Sequence, residues 1–219
     1  MPSSKSGCVW IVALCCAAVF VPLAIASKSF VKPEAKPAVQ YPAHDAHGDE
    51  KAAIAADPYD TPEKAKIFSV DFAEHGFLPV FFLVTNDGDK PISLANMEIT
   101  VITGDHAKLT PIGAEDLYRR LSNPQAQAHT TPNPLPFPLP HKKPLSTKAM
   151  EEIEQSQFAA RAVEPHTTQS GFLFFDVGGI HSPLRGATVE VTGITDAKGN
   201  ELLYFEIAMD KYLNRPANP

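Results

Sequence analysis

Two runs of bulky apolar residues, Val80-Phe81-Phe82-Leu83-Val84 and Gly171-Phe172-Leu173-Phe174-Phe175-Asp176-Val177, restrict what this chain can fold into more than any other feature. Each is too short to span a bilayer and is bounded by turn-forming residues, so each reads as a β-strand buried on both faces. Pro79 has no N–H to give a ladder and is expected at the first residue of its strand or at an edge. Asn86-Asp87-Gly88-Asp89 then makes a turn, because these residues tolerate positive φ or bond their own backbone. The chain returns through Ile92 and Leu94 into Met97-Glu98-Ile99-Thr100-Val101, whose alternation puts one face in a core and the other in water. Gly76 to Ile102 is therefore expected to form the central hairpin of a β-domain, with the Gly171–Val177 run as the core partner of Val80–Val84.

Other strand patterns follow at hairpin-like spacing. Phe68-Ser69-Val70-Asp71-Phe72 alternates and reads as the first strand; Leu109 to Ile112, Ala160 to Val163, Thr188 to Thr192 and Leu202 to Met209 read as later ones. Seven or eight such strands indicate an all-β antiparallel sandwich with Greek-key or meander connections. Thr61-Pro62-Glu63 caps a helical turn with Pro at its first position. Ala114 to Leu121 reads as a helix with Glu115 and Asp116 in the first turn, Arg119 and Arg120 in the last, and Leu117 and Leu121 as its packing stripe. Ser146 or Thr147 caps a weakly amphipathic helix through Met150, Ile153 and Gln157, expected on the surface. Between these helices, proline stands at every other position from Pro132 to Pro140, which suits polyproline II. Leu135, Phe137 and Leu139 on that stretch either strap the domain or are offered to a partner in the cell envelope; the strap is preferred, because exposed apolar clusters are uncommon.

Cys8 to Ala26 is an unbroken apolar segment preceded by Lys5, with Ala24 and Ala26 in the small-x-small pattern of a signal-peptidase site. It reads as a signal peptide over residues 1–26, cleaved before Ser27. Its 19 residues are also long enough to span as a membrane anchor. Pro22, which breaks the helix just before the small residues, favours cleavage, and membrane association is expected only if the segment is retained. The residues before Cys15 and Cys16 are Leu14 and Cys15, a poor lipoprotein box. All three cysteines lie in this leader, so the mature chain carries no disulfide, thiolate metal site or cysteine nucleophile. The expected location is extracytoplasmic.

Residues 27–61 hold Pro33, Pro37, Pro42 and Pro58 among alanines and charges without an apolar period, and read as a disordered linker, dispensable for folding. The β-domain is expected over 62–213, with the helical and proline-rich stretch 114–157 as an insertion and 214–219 as a tail. Within the linker His44-Asp45-Ala46-His47-Gly48-Asp49-Glu50 has the composition of a Zn²⁺ or Cu²⁺ site, with His44, His47 and Asp49 as candidate ligands. A solvated acidic stretch is preferred, since a flexible segment loses entropy on ordering and shows no supporting shell.

Val84-Thr85-Asn86-Asp87-Gly88-Asp89-Lys90-Pro91-Ile92, and Val163-Glu164-Pro165-His166-Thr167-Thr168-Gln169-Ser170-Gly171 running on into the second apolar strand, resemble the immunoglobulin-like domains of uncharacterised exported bacterial proteins. Where that family usually has Pro-Gly, this chain has Pro165-His166. The resemblance implies a β-sandwich outside the cytoplasm and carries no catalytic residues.

No nucleophile elbow, His-Glu-x-x-His helix, phosphate-binding glycine loop or dinucleotide fingerprint occurs. No catalytic residue and no cofactor is expected. A net charge of −6 argues against nucleic acid as a partner. His75, His106, His166 and His181 fall in turns and form a site only if the fold gathers them. The leading expectation is a non-enzymatic envelope module for binding or structure. The alternatives are a metal-handling accessory protein using His44 to Glu50, and a hydrolase with an unrecognised site.

Overall fold

The computed structural model describes residues 30–122 and 145–214. Its strands are β1 (His44–His47), β2 (Ala52–Pro58), β3 (Phe77–Asn86), β4 (Ile92–Ser93), β5 (Glu98–Ile102), β6 (Lys108–Leu109), β7 (Ala162–Val163), β8 (Thr167–Asp176), β9 (Thr188–Thr192) and β10 (Phe205–Ala208). Four short helices accompany them: α1 (Pro62–Ala65), α2 (Ala114–Ser122), α3 (Thr147–Ser156) and α4 (Asp210–Leu213). One sheet has the order β1-β2-β3-β8, a second has β10-β9-β5-β6, and β4 pairs with β7. All named strand pairs are antiparallel.

The alternation of side chains explains why β3 is buried at every position. Leu78, Val80, Phe82 and Val84 point one way and share a core with Ile99, Val101, Val189, Val191, Phe205 and Ile207 of the second sheet. Phe77, Phe81 and Leu83 point the other way, under Phe68, Phe72, Leu117, Leu121 and Ile153. The first sheet is thus a middle layer, with the second sheet on one face and α2, α3 and the Phe68–Phe72 segment on the other.

This layering corrects several sequence expectations. The two apolar runs do not face each other across a core; β3 and β8 are neighbours in one sheet, with Phe81 opposite Phe172 and Pro79 opposite Phe174. Gly76 to Ile102 is not a hairpin, because β3 belongs to the first sheet and β5 to the second. Turn chemistry is a local signal, whereas the choice of sheet depends on non-local packing. Phe68, Val70 and Phe72 are buried as their alternation predicts, yet the segment forms no strand. It lies across the sheet face, where the Ser69 amide donates to the buried Glu152 carboxylate on α3 at 2.8 Å. Pro79 sits inside β3 but past the end of the β2 ladder, where its carbonyl accepts from Tyr59 and no donor is needed.

The stretch 27–61 is not a linker over its described part. Ala52 to Ala56 is an interior strand with every residue buried. Alanine carries little β-propensity, which hides the strand in the sequence. In the folded chain small residues are what the position needs, because Ala55 and Ala56 lie opposite Leu83 and Phe82 in a layer covered on both sides. The preceding chain is fastened too. Phe30 stacks on Phe68 at 5.6 Å, and the Ala38 amide donates to Thr85 at 2.8 Å.

The helices meet their expected ends. Thr61 accepts from the Lys64 amide at the start of α1, and Ser146 accepts from the Ala149 amide at the start of α3. Leu117 and Leu121 are buried as predicted. Helix α3 lies on the outside of the sheet with Glu151, Glu154 and Gln155 exposed, but its inner face is more deeply buried than expected. Ala149, Glu152, Ile153 and Ser156 form a buried stripe at i, i+3, i+4 and i+7, so the 114–157 stretch contributes a core layer rather than decorating one. After α3 the chain presses on β8 at Gly171, where a Cβ would stand 2.4 Å from Phe158 Cα. Only glycine permits that approach.

Candidate functional site

The stretch carrying the metal candidates folds as the β1–β2 hairpin, closed by Gly48 to Lys51, with Lys51 at φ +52°. Strand geometry sorts its side chains: residues two apart share a face and residues three apart do not. Asp45 and His47 therefore come together, while His44 points away. His47 Nε2 lies 3.3 Å from Asp45 Oδ2, and His47 Nδ1 lies 2.8 Å from Glu50 Oε2. The imidazole stacks on the Phe205 ring of β10, centroids 4.0 Å apart and planes 9° from parallel. Both carboxylates also bind that edge of the second sheet. Asp45 Oδ2 accepts from the Glu206 amide and Glu50 Oε1 from the Leu203 amide, each at 2.9 Å.

A metal ion must sit about 2.0–2.2 Å from all its nitrogen and oxygen ligands. Here the two carboxylates hold opposite nitrogens of one ring, so no single point serves all three groups. His44 Nδ1 is taken by the Tyr41 carbonyl at 2.6 Å, and Asp49 stands exposed in the turn. Among the described residues no three His, Cys, Asp or Glu side chains form a metal-holding group. The structure brings His47 to Asp45 and Glu50 and leaves His44 and Asp49 apart from them.

Among the described residues the histidines join no metal-holding group. His75 precedes β3 and His166 lies by its far end, where Nε2 is 3.2 Å from Asp89 Oδ1. Ten strand residues separate these ends by about 30 Å. His106 and His166 occupy turn positions at φ +61° and +56°.

A polar cluster that the sequence did not signal ties β2, α1 and α4 together. Lys64 Nζ contacts Asp57 Oδ1 at 2.6 Å and the Pro58 carbonyl at 2.9 Å, and lies 4.7 Å from the centre of the Tyr212 ring. The buried Tyr212 hydroxyl donates toward Asp60 and the Pro58 carbonyl. Burial pushes the Tyr59 phenol far above its ordinary range, with Asp57 and Tyr41 adding to the effect. These groups are 148 or more residues apart for each contact with Tyr212, so no local pattern announces them. At the other end of the molecule Asn86, buried, donates to the Lys90 and Val163 carbonyls and accepts from Gly88, fixing the turn between β3 and β4. Beside that turn lies an open hollow of about 250 Å³, lined by Glu50, Asp89, Lys90, Asp196 and Lys198 among others. Its Asp196 carboxylate is already bound to the side chain and backbone of Asn200 and to the Lys198 amide, bonds that hold it below the ordinary carboxylate range.

No family model matches this chain, and no curated protein does. Among solved structures it is similar to a candidate lipoprotein of Bacillus subtilis, with 14% sequence identity and a TM-score of 0.35. The match covers 80% of this chain, which spans 40% of the length of that protein. Among the described residues no helix is long and apolar enough to cross a membrane. The leader segment Cys8 to Ala26 and the stretch with Leu135, Phe137 and Leu139 lie outside the described residues.

Proposed function

We propose that this chain is a non-enzymatic exported protein, an immunoglobulin-like β-sandwich that serves as a binding or structural module of the bacterial cell envelope. The observation that supports this reading is how the chemically capable side chains are used. Asp45, His47 and Glu50 tie one sheet edge to the other, and Asp57, Lys64 and Tyr212 tie the C-terminal helix to β2. Groups committed to joining strands in this way are not poised over a cavity for substrate. Two antiparallel sheets contributing to one shared core favour the sandwich. The apolar leader ending in Ala24 and Ala26 favours export.

Leu135, Phe137 and Leu139 on the stretch Pro132 to Pro140 either strap the domain, the preferred reading, or are offered to an envelope partner, and the experiment below separates the two. The helices that flank this stretch are packed side by side, with the Tyr118 hydroxyl donating to the Leu145 carbonyl at 3.4 Å. Cross-linking in intact envelopes, followed by capture of the mature chain, tests the proposal. The wild type should retain a defined partner that the triple variant Leu135→Ala, Phe137→Ala, Leu139→Ala loses. Stoichiometric Zn²⁺ or Cu²⁺ binding by calorimetry, abolished in His47→Ala, would favour metal handling instead, and turnover in a broad hydrolase screen would favour an enzyme.

A further inference from the structure

The segment Leu202-Leu203-Tyr204-Phe205-Glu206-Ile207-Ala208-Met209 is eight residues long, holds one charge, and has neither proline nor glycine. Such a window, rich in β-formers and nearly uncharged, is the signature of a segment that stacks on copies of itself. The fold places it as an edge. Strand β10 pairs with β9 on one side only, and its outer side carries the backbone donors of an unpaired strand. Two apolar side chains beside this edge are open to solvent: Leu203 at 69% and Tyr204 at 60% exposure.

What occupies the outer donors is not another strand but the side chains of the β1–β2 hairpin. Asp45 accepts from the Glu206 amide and Glu50 from the Leu203 amide. His47 lies between the two carboxylates, its ring flat on Phe205, so that it fixes the direction of both. Lys211 completes the seam by donating to the His44 carbonyl at 3.2 Å. The seam is antiparallel in sense, with β1 rising as β10 descends, yet no backbone-to-backbone ladder joins the two strands.

We infer that Asp45, His47 and Glu50 form an edge guard, a device that keeps β10 from pairing with the same segment of a second copy of this chain. Carboxylates suit the task. They satisfy the outward amides, and they place negative charge where an incoming strand would have to lie beside Glu206. His47 is a positioning residue in this arrangement.

The guard predicts a behaviour separable from ordinary loss of stability. In the full mature chain, Asp45→Ala with Glu50→Ala should produce concentration-dependent association by light scattering and a rise in thioflavin fluorescence under native conditions. Hydrogen exchange at the Leu203 and Glu206 amides should quicken at least tenfold at concentrations low enough to keep the variant monomeric. Asp45→Asn with Glu50→Gln keeps acceptor oxygens at both positions but removes the charge, and should keep exchange at the two amides close to wild type while associating less than the double alanine variant. Leu117→Ala, a core truncation in the opposite layer, supplies the control for destabilisation alone and should remain monomeric while folded. A double alanine variant that stays monomeric with unchanged exchange at these two amides would overturn the inference. So would association of Leu117→Ala to the same extent.

Discussion

A chain shortened to begin at Pro62 should show no cooperative unfolding transition. The deletion removes β1 and β2, and with β2 the neighbour that pairs with β3 from Val80 to Asn86. Phe81, Phe82, Leu83 and Val84 lose cover along one side, and the contacts of Phe30 and Tyr59 with the aromatic cluster disappear. Each large apolar side chain returned to water costs about 1.5–3 kcal/mol. Half a dozen of them match the roughly 5–15 kcal/mol that separates a typical folded domain from its unfolded chain. Backbone donors and acceptors along β3 are stranded as well. Circular dichroism during urea titration, compared with a chain beginning at Ser27, reads the difference. A truncated chain melting within a few degrees of that reference would restore the linker reading of residues 27–61.

Truncating either central phenylalanine should cost about 3–5 kcal/mol, because deletion of a buried ring loses transfer energy and leaves a cavity. Phe81 and Phe174 are both almost wholly buried, at 1% and 0% exposure, on the face of the first sheet that lies under the helices. Phe81 packs against Phe172 with centroids 5.1 Å apart, and Phe174 against Phe72 at 4.9 Å. Their neighbours are anchored in different elements and cannot readily close the gap. By contrast, Glu98→Ala and Glu190→Ala should stay within about 0.5 kcal/mol of wild type. Glu190 faces Glu206 across the β9–β10 pair, a like-charge opposition whose removal costs nothing. Chemical denaturation of all four variants should separate the two pairs cleanly; equal small losses would mean that these runs are not the core.

The sequence carried the burial of single positions further than it carried their pairing. Alternation at Phe68, Val70 and Phe72 marked the buried side chains correctly, although the segment spans a sheet face instead of joining an edge. The caps at Thr61 and Ser146 and the stripe at Leu117 and Leu121 were legible because each depends on residues within one turn of helix. Strand β2 was hidden, since five residues of which four are alanine look like linker until the large neighbours that require them are known. The partners of His47 were half visible. Asp45 shares its strand face by simple alternation, whereas Glu50 reaches it through a turn and Phe205 through the packing of a distant strand. Cluster composition alone suggested a metal; the strand period, applied to the same seven residues, separates His44 from His47.

Residues 52–58 form an interior strand of a sheet covered on both faces, and native-state hydrogen exchange tests this most directly. The amides of Ala52 to Asp57 should exchange only through global unfolding, with protection matching that of Phe81 and Phe82 in β3. Exchange of Ala52 to Asp57 at the rate of an unstructured peptide, with β3 still protected, would contradict it.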